Sequence, residues 1–282
     1  MSDANNFSND QPINPYYHQE QIDHDKVISE HIKVRELLQS VGVTVTDVPS
    51  PAGCQDGVYA ANWALVRGDT AVIANLPNAR QLEEDYAERI LTNLGKKIVH
   101  IPNEFKFSGQ GDALACGNLL FCGSGYRSDV EAQKIAAEAL NYTRIQLQTV
   151  PKYDELGNPV INSASGWPDS FFYDLDLALA VIKPPIDNEK GLIAYCPEAF
   201  VAESRTLLDN LDIVDKIEVS FDEATNGFAT NLVSTGEAVV MSAHAPVLTA
   251  ELRNRGLTVL TPEITELAKG GGYIRCIALT IE

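Results

Sequence analysis

Apolar and polar positions fall into a pattern that recurs along the chain. Over 62–74, NWALVRGDTAVIA sets two short apolar runs on either side of Gly68-Asp69, which reads as a hairpin. Residues 80–94 then place Leu82, Tyr86, Ile90 and Leu94 at helical spacing, Gly95 ends the helix, and KKIVHI at 96–101 reads as a strand. The same order returns in DALACGNLLFCG (112–123, turning at Gly117-Asn118), a helix over 129–140 capped by Ser128-Asp129, and TRIQLQTV at 143–150. A third copy runs from FYDLDLALAVI through GLIAYC (172–196), a helix at 197–210 and DKIEVS at 215–220. A fourth comprises NLVSTGEAVVMS (231–242, turning at Gly236), a helix at 246–255 and GLTVLT at 256–261.

Pieces of a fifth copy stand at the two ends. The run GYIRCIALTIE predicts a terminal strand, and a helix at 26–40 followed by GVTVTDV at 42–48 supplies the rest of that unit. A repeat divided between the termini predicts a closed ring, because closure removes the exposed edges of an open array. The alternative is an open α/β sheet carrying several hairpins. The expected fold is therefore α/β, a ring of five ββαβ units. It forms one domain over 13–282, preceded by a flexible polar tail at 1–12.

Composition narrows the function. Hydrophobic residues make up 45% of the 282 positions, enough for a substantial core. A formal net charge of -18 repels phosphate backbones and anionic lipid, so nucleic acid and membranes are poor partners, whereas a small cation is attracted. No apolar run has the length of a membrane span, which is about 20 residues, and no secretory signal is visible. The five cysteines lack CxxC pairing or zinc-ligand spacing, so free thiols in a cytoplasmic protein are expected, with no metal. A homodimer is the default assembly for such a chain.

The segments INPYY (13–17), DGVYAANWALV (56–66), GQGDAL (109–114), GYRSD (125–129), FFYDLDLALAV (171–181) and GGGYIRCIAL (270–279) occur in this order. Together they resemble the amidinotransferase superfamily, or pentein fold, which includes dimethylarginine dimethylaminohydrolase, arginine deiminase and the arginine dihydrolases. The resemblance extends over nearly the whole chain, from about residue 13 to 281. It implies attack by a cysteine near the C-terminus on the guanidinium carbon of an arginine-like substrate. A thiouronium adduct forms and is then released, with a histidine as acid and base and no cofactor.

Carried over residue by residue, the resemblance makes Cys276 the nucleophile and places Asp112 and Asp176 at the guanidinium, a planar fork that matches a carboxylate. Asn62 matches a guanidinium contact, Arg80 a contact to the substrate carboxylate, and Asn14 an N-terminal ligand residue of the arginine dihydrolases. On a strand, Asp174 and Asp176 are expected on one face.

Two positions depart from the family. Asp174 stands where the resemblance calls for histidine, in Phe172-Tyr173-Asp174-Leu175-Asp176, and Ser108 stands where it calls for the glutamate that orients that histidine. Aspartate has a reference pKa of about 4, histidine about 6.5. Proton transfer works best near the operating pH and contributes about 10²–10⁴-fold, so the exchange bears directly on turnover. His244, in MSAHAP, is the one surrogate considered; the other histidines carry no motif and are expected at the surface. Three functions stay open: a guanidino hydrolase, a relative that binds an arginine-like ligand without efficient turnover, and a pentein acting through protein contacts.

Overall fold

The computed structural model describes residues 1–11, 20–76, 78–161, 168–187 and 189–281. Asn14 lies outside the described residues. Four three-stranded sheets account for the strands among the described residues, each an antiparallel hairpin with a third strand added in parallel. They are β1(Ala64–Arg67), β2(Thr70–Ile73) and β3(Lys97–Val99); β4(Ala113–Cys116), β5(Leu119–Ser124) and β6(Thr143–Gln148); β7(Leu179–Lys183), β8(Gly191–Tyr195) and β9(Val214–Glu218); and β10(Val233–Ser234), β11(Ala238–Val240) and β12(Thr258–Leu260). The hairpin turns fall where the sequence places them. Gly117, for example, has φ of 62°, a conformation cheap only for glycine.

Helices α2(Glu84–Asn93), α3(Val130–Ala139), α4(Ala202–Asp209) and α6(Pro246–Asn254) connect the second and third strands of the successive sheets. Preceding them all, α1(His24–Ser40) buries Val27, His31, Val34 and Leu38 on one face. The short α5(Phe221–Gly227) has no counterpart in the expected repeat; Ser220 caps it by accepting the Glu223 N–H. The expected caps of α3 are used otherwise. The Asp129 carboxylate accepts the Lys106 N–H, and the Ser128 hydroxyl goes to Asp112.

The ends differ from expectation. Neither 42–48 nor 273–281 forms a strand; the first is held by a single bridge between Ser2 and Val48 and the second runs as turns and extended chain. Residues 1–11 are not a free tail. The Met1 ammonium donates to the Thr46 carbonyl, the Asp3 carboxylate accepts from the Ser50 N–H and hydroxyl, and Phe7 is 1% exposed. Few apolar residues are needed to anchor this segment, because Ala4 and Phe7 enter a core shared with Val34, Leu38, Ile264, Ile274 and Ile277. The two ends of the chain therefore pack against one another. Among the described residues no helix is long and apolar enough to cross a membrane.

Candidate active site

Each hairpin is preceded by a tight turn, and the turns meet. The 3₁₀ turns Ala60–Trp63, Gly109–Gly111 and Leu175–Leu177 lead into β1, β4 and β7, and residues 229–232 form the corresponding turn before β10. Each of these regions carries a polar side chain within three residues of its first strand: Asn62, Asp112, Asp176 and Asn231. Cys276 lies in a turn over 274–277, close to the end of the chain. A backbone bond from the Ala61 N–H to the Cys276 carbonyl ties the last of these turns to the first.

Cys276 is buried at 3% exposure. Asn231 fixes it from three directions, since its Oδ1 accepts the Arg275 and Cys276 N–H groups (2.9 and 3.3 Å) and its Nδ2 donates to Sγ at 3.2 Å. The thiol donates to Asp176 Oδ2 at 3.5 Å. Burial pushes the Cys276 thiol well above its ordinary value, and the charges of Asp176 and Asp174 push it further. Burial likewise drives Asp176 up to about 8, with Asp174 adding to the rise. Its second oxygen, Oδ1, is buried with no hydrogen-bond partner.

Asp174 does not share a strand face with Asp176. Asp174 is the N-cap of a 3₁₀ turn and Asp176 lies within it, and their carboxylates take different partners. Asp174 Oδ2 accepts from Arg127 Nη1 (3.1 Å) and Asn62 Nδ2 (3.0 Å), and Oδ1 accepts from the Ser108 hydroxyl (3.2 Å). The Arg127 guanidinium lies 4.2 Å from the centre of the Tyr173 ring. Asn62 continues the network by accepting from Arg80 Nη1 at 2.8 Å, and Arg80 in turn pairs with both oxygens of Glu83 at 2.9 and 2.8 Å. Gly111 permits this meeting, because a Cβ there would come within 2.3 Å of Asn62 Nδ2 and 3.0 Å of Asp174.

These groups enclose a cavity of about 10 Å³ lined by Asp56, Tyr59, Asn62, Arg80, Arg127, Tyr173, Asp174, Gly270, Gly272 and Cys276. That is the lower limit for one water molecule. In this arrangement the cavity has no room for anything larger than a water molecule. A second cavity of about 330 Å³, walled by Asn6, Asp10, Gln55 and Leu82 among others, shares Asp56 and Arg80 with the first. Residues 265–272, which lead to the cavity wall at Gly270 and Gly272, are held by several contacts. Glu30 of α1 accepts the N–H groups of Thr265, Glu266 and Leu267, Tyr173 donates to the Gly271 carbonyl, and Gly270 and Gly272 lie flat on Tyr59.

Several expected site residues are thus gathered, and others are not. Cys276, Asn62, Arg80 and Asp174 line the cavity, while Asp176 lies behind the thiol. Asp112 and Ser108 do not reach it. Asp112 spends its carboxylate on the Ser128 hydroxyl and the Leu175 N–H, fixing the turn that carries Asp174 and Asp176, and burial holds its carboxyl well above the usual range. His244 is no surrogate, being half exposed and 3.5 Å from Glu263 at the surface. His31 is buried rather than solvated, and burial lowers its pKa to about 4. The sequence reading missed Arg127, although it sits inside GYRSD, and Asn231, whose signal was its place one turn before a hairpin, shared with Asn62 and Asp112.

A cysteine, buried carboxylates and repeated ββαβ units define the class of guanidino-modifying penteins. The chain belongs to this family: it is 31% identical over 245 residues to the N(G),N(G)-dimethylarginine dimethylaminohydrolase of Mycobacterium tuberculosis, covering 86% of this chain and 71% of that protein. It is also 29% identical over 242 residues to the bifunctional arginine dihydrolase/ornithine cyclodeaminase AgrE of a Nostoc species, matching 84% of this chain but only 31% of AgrE. The chain thus spans about a third of the bifunctional relative. Its fold matches an Asn-to-Ser variant of the ArgZ N-terminal domain covalently bound to a reaction intermediate, with TM-score 0.85, 24% identity, and coverage of 99% of this chain and 95% of that one. No protein-family model matches the chain.

Proposed function

We propose that the chain hydrolyses a guanidino compound, arginine or a close analogue, through a covalent adduct on Cys276. One observation carries this reading: the Cys276 thiol and the Asp174 carboxylate, 102 positions apart in the sequence, open onto one enclosed cavity. A guanidinium there lies beside the Asp174 carboxylate and competes for it with Arg127, whose own guanidinium that carboxylate now holds. Its charge also favours the thiolate, which burial and two aspartates otherwise oppose. Thiolate attack forms a C–S bond at the guanidinium carbon. Loss of ammonia or an amine leaves a thiouronium, which water converts to a ureido product. Arg80, in the wall between the two cavities, stands where the rest of the substrate lies.

A second reading is a member that binds an arginine-like ligand with little turnover. The Arg127–Asp174 ion pair favours it, because it occupies the position where the resemblance calls for a histidine acid and base. The same experiment addresses both readings. The chain is incubated with arginine, dimethylarginine and agmatine, and intact-mass spectrometry is combined with assays for ammonia, amines and ureido products. An adduct with product, both absent in Cys276→Ser, supports the hydrolase; binding by calorimetry with neither selects the second reading; no binding and no adduct rejects both.

We also read residues 24–48 and 273–281 as the divided fifth unit of a five-unit ring. The core that both ends share and the backbone bond from the Ala61 N–H to the Cys276 carbonyl support that closure.

A further inference from the structure

Hydrolysis through Cys276 needs a group that takes the thiol proton, and no described histidine lines the cavity. Asp174 is poorly suited. Its two oxygens are committed to Arg127, Asn62 and Ser108, and neither contacts the Cys276 thiol. Asp176 has the opposite character. It receives the Cys276 S–H on Oδ2 at 3.5 Å, and its Oδ1 is buried with nothing to bond to.

We infer that Asp176, rather than the residue at the family's histidine position, is the proton acceptor and donor for Cys276; this rests on the hydrolase reading above. The thiol proton passes to Asp176 Oδ2, leaving a thiolate and a neutral carboxylic acid. The thiolate electron pair forms the C–S bond at the guanidinium carbon, giving a neutral tetrahedral adduct. As the C–N bond breaks, the proton on Asp176 moves to the departing nitrogen, which leaves as ammonia or an amine, and Asp176 is again a carboxylate beside a cationic thiouronium. Water then loses one proton to Asp176 while its oxygen bonds to carbon. Breakage of the C–S bond returns its electron pair to sulfur, the second proton of that water restores the thiol, and the acid on Asp176 discharges its proton to the released amine. A nitrogen on a carbon bound to Sγ falls within reach of a carboxyl 3.5 Å from that sulfur.

The surroundings agree with this assignment. Apart from Cys276 itself, the charged groups that act most on Asp176 are Asp174, which opposes its ionisation, and Arg275, which favours it. Tyr59 and Tyr173 face the thiol, and both are held protonated by burial. Burial and Asp174 hold Asp176 at about 8, within the range useful to a proton carrier near neutrality.

The test compares wild type, Asp176→Asn, Asp176→Glu and Cys276→Ser. The rate of Cys276 alkylation by iodoacetamide is followed across pH, with the modified cysteine located by mass spectrometry, beside kcat and KM on whichever guanidine wild type converts. Removing the neighbouring carboxylate makes the thiol easier to ionise. Alkylation of Asp176→Asn therefore moves to lower pH and is faster than that of wild type at a given pH near neutrality. Turnover by the same variant nevertheless falls by about 10²–10⁴-fold, mainly in kcat, with partial recovery in Asp176→Glu. An unchanged alkylation profile overturns the inference, and so does turnover that rises in step with the thiolate, which leaves Asp176 as a mere opposing charge. If iodoacetamide does not reach the thiol, ¹³C-NMR titration of the Asp176 carboxyl in wild type and Cys276→Ser replaces it. A carboxyl titrating like a surface aspartate, or blind to the sulfur, overturns the inference. Absence of any guanidine adduct in wild type counts against the hydrolase reading, whereas the alkylation profile needs no guanidine and still decides the proton relationship.

Discussion

Arg127 and Asp174 form a buried ion pair at 3.1 Å in the wall of the cavity that contains the Cys276 thiol. Asp174 is 1% exposed and Arg127 is 8% exposed. Removing one partner strands the other without water. Arg127→Gln is therefore expected to cost about 3–5 kcal/mol of stability, read as a lower urea midpoint. Replacing both at once, Arg127→Gln with Asp174→Asn, should cost less than the single change, because no unpaired charge then remains.

The contact between Ser108 and Asp174 makes the two departures from the family one linked change, since the serine hydroxyl donates to that carboxylate at 3.2 Å. Restoring both family residues, Asp174→His with Ser108→Glu, is expected to place a glutamate against a histidine beside the cavity and to raise guanidine turnover by about 10²–10⁴-fold. Either substitution alone should do less. Product formation per active thiol is the measurement. A correctly folded double variant no faster than wild type would show that position 174 is not where proton transfer is limited.

Asp176 also gives stability a pH dependence. Its pKa is about 8 in the folded protein against an ordinary 3.8, so the native state holds a proton that the unfolded chain has lost between those values. The contribution is complete below pH 4 and is lost as the pH rises through 8, with a limiting slope of about 1.4 kcal/mol per pH unit. His31 acts in the reverse sense: its folded pKa of about 4 lies below the ordinary 6.5, so it destabilises the fold as pH falls between them. The two slopes oppose each other from pH 4 to 6.5, leaving the decline from Asp176 visible between about 6.5 and 8. Asp112, which burial also raises, declines in the same sense, so Asp176→Asn should lessen the slope without abolishing it in urea titrations at successive pH values.

Glu30 tests how firmly residues 265–272 are held. Its carboxylate accepts N–H groups from Thr265, Glu266 and Leu267, several residues before the nucleophile. Hydrogen bonds to a charged group contribute about 1.5–3 kcal/mol each, not additively at one carboxylate. Glu30→Ala is expected to lower stability by a few kcal/mol and to increase amide hydrogen exchange at 265–272 before the sheets open.

The four complete repeats were legible because hairpins and amphipathic helices declare themselves through short-range periodicity and turn glycines. The 42–48 and 273–281 segments alternate like strands but find no ladder partner; tertiary context overrides such a preference. The cavity residues were legible through motif order more than through local chemistry. Asp112 shows the limit: its GQGDAL setting matches a ligand residue, yet its carboxylate is used up by Ser128 and Leu175. Arg127 stayed unassigned because nothing local ties position 127 to 174; only the meeting of separate turns pairs them. Phe7 and His31 are buried without any local sign of it; Phe7 packs into a core built from residues far away in the chain.

Asn62, Asp174 and Asp176, Asn231 and Cys276 come from separate turns, so no fragment comprising one repeat carries the thiol together with all its polar neighbours. Reactivity at Cys276 is consequently a gauge of complete assembly. During refolding it should emerge late and all at once, after secondary structure has returned, and a rearranged chain whose new ends lie in an outer hairpin should retain it.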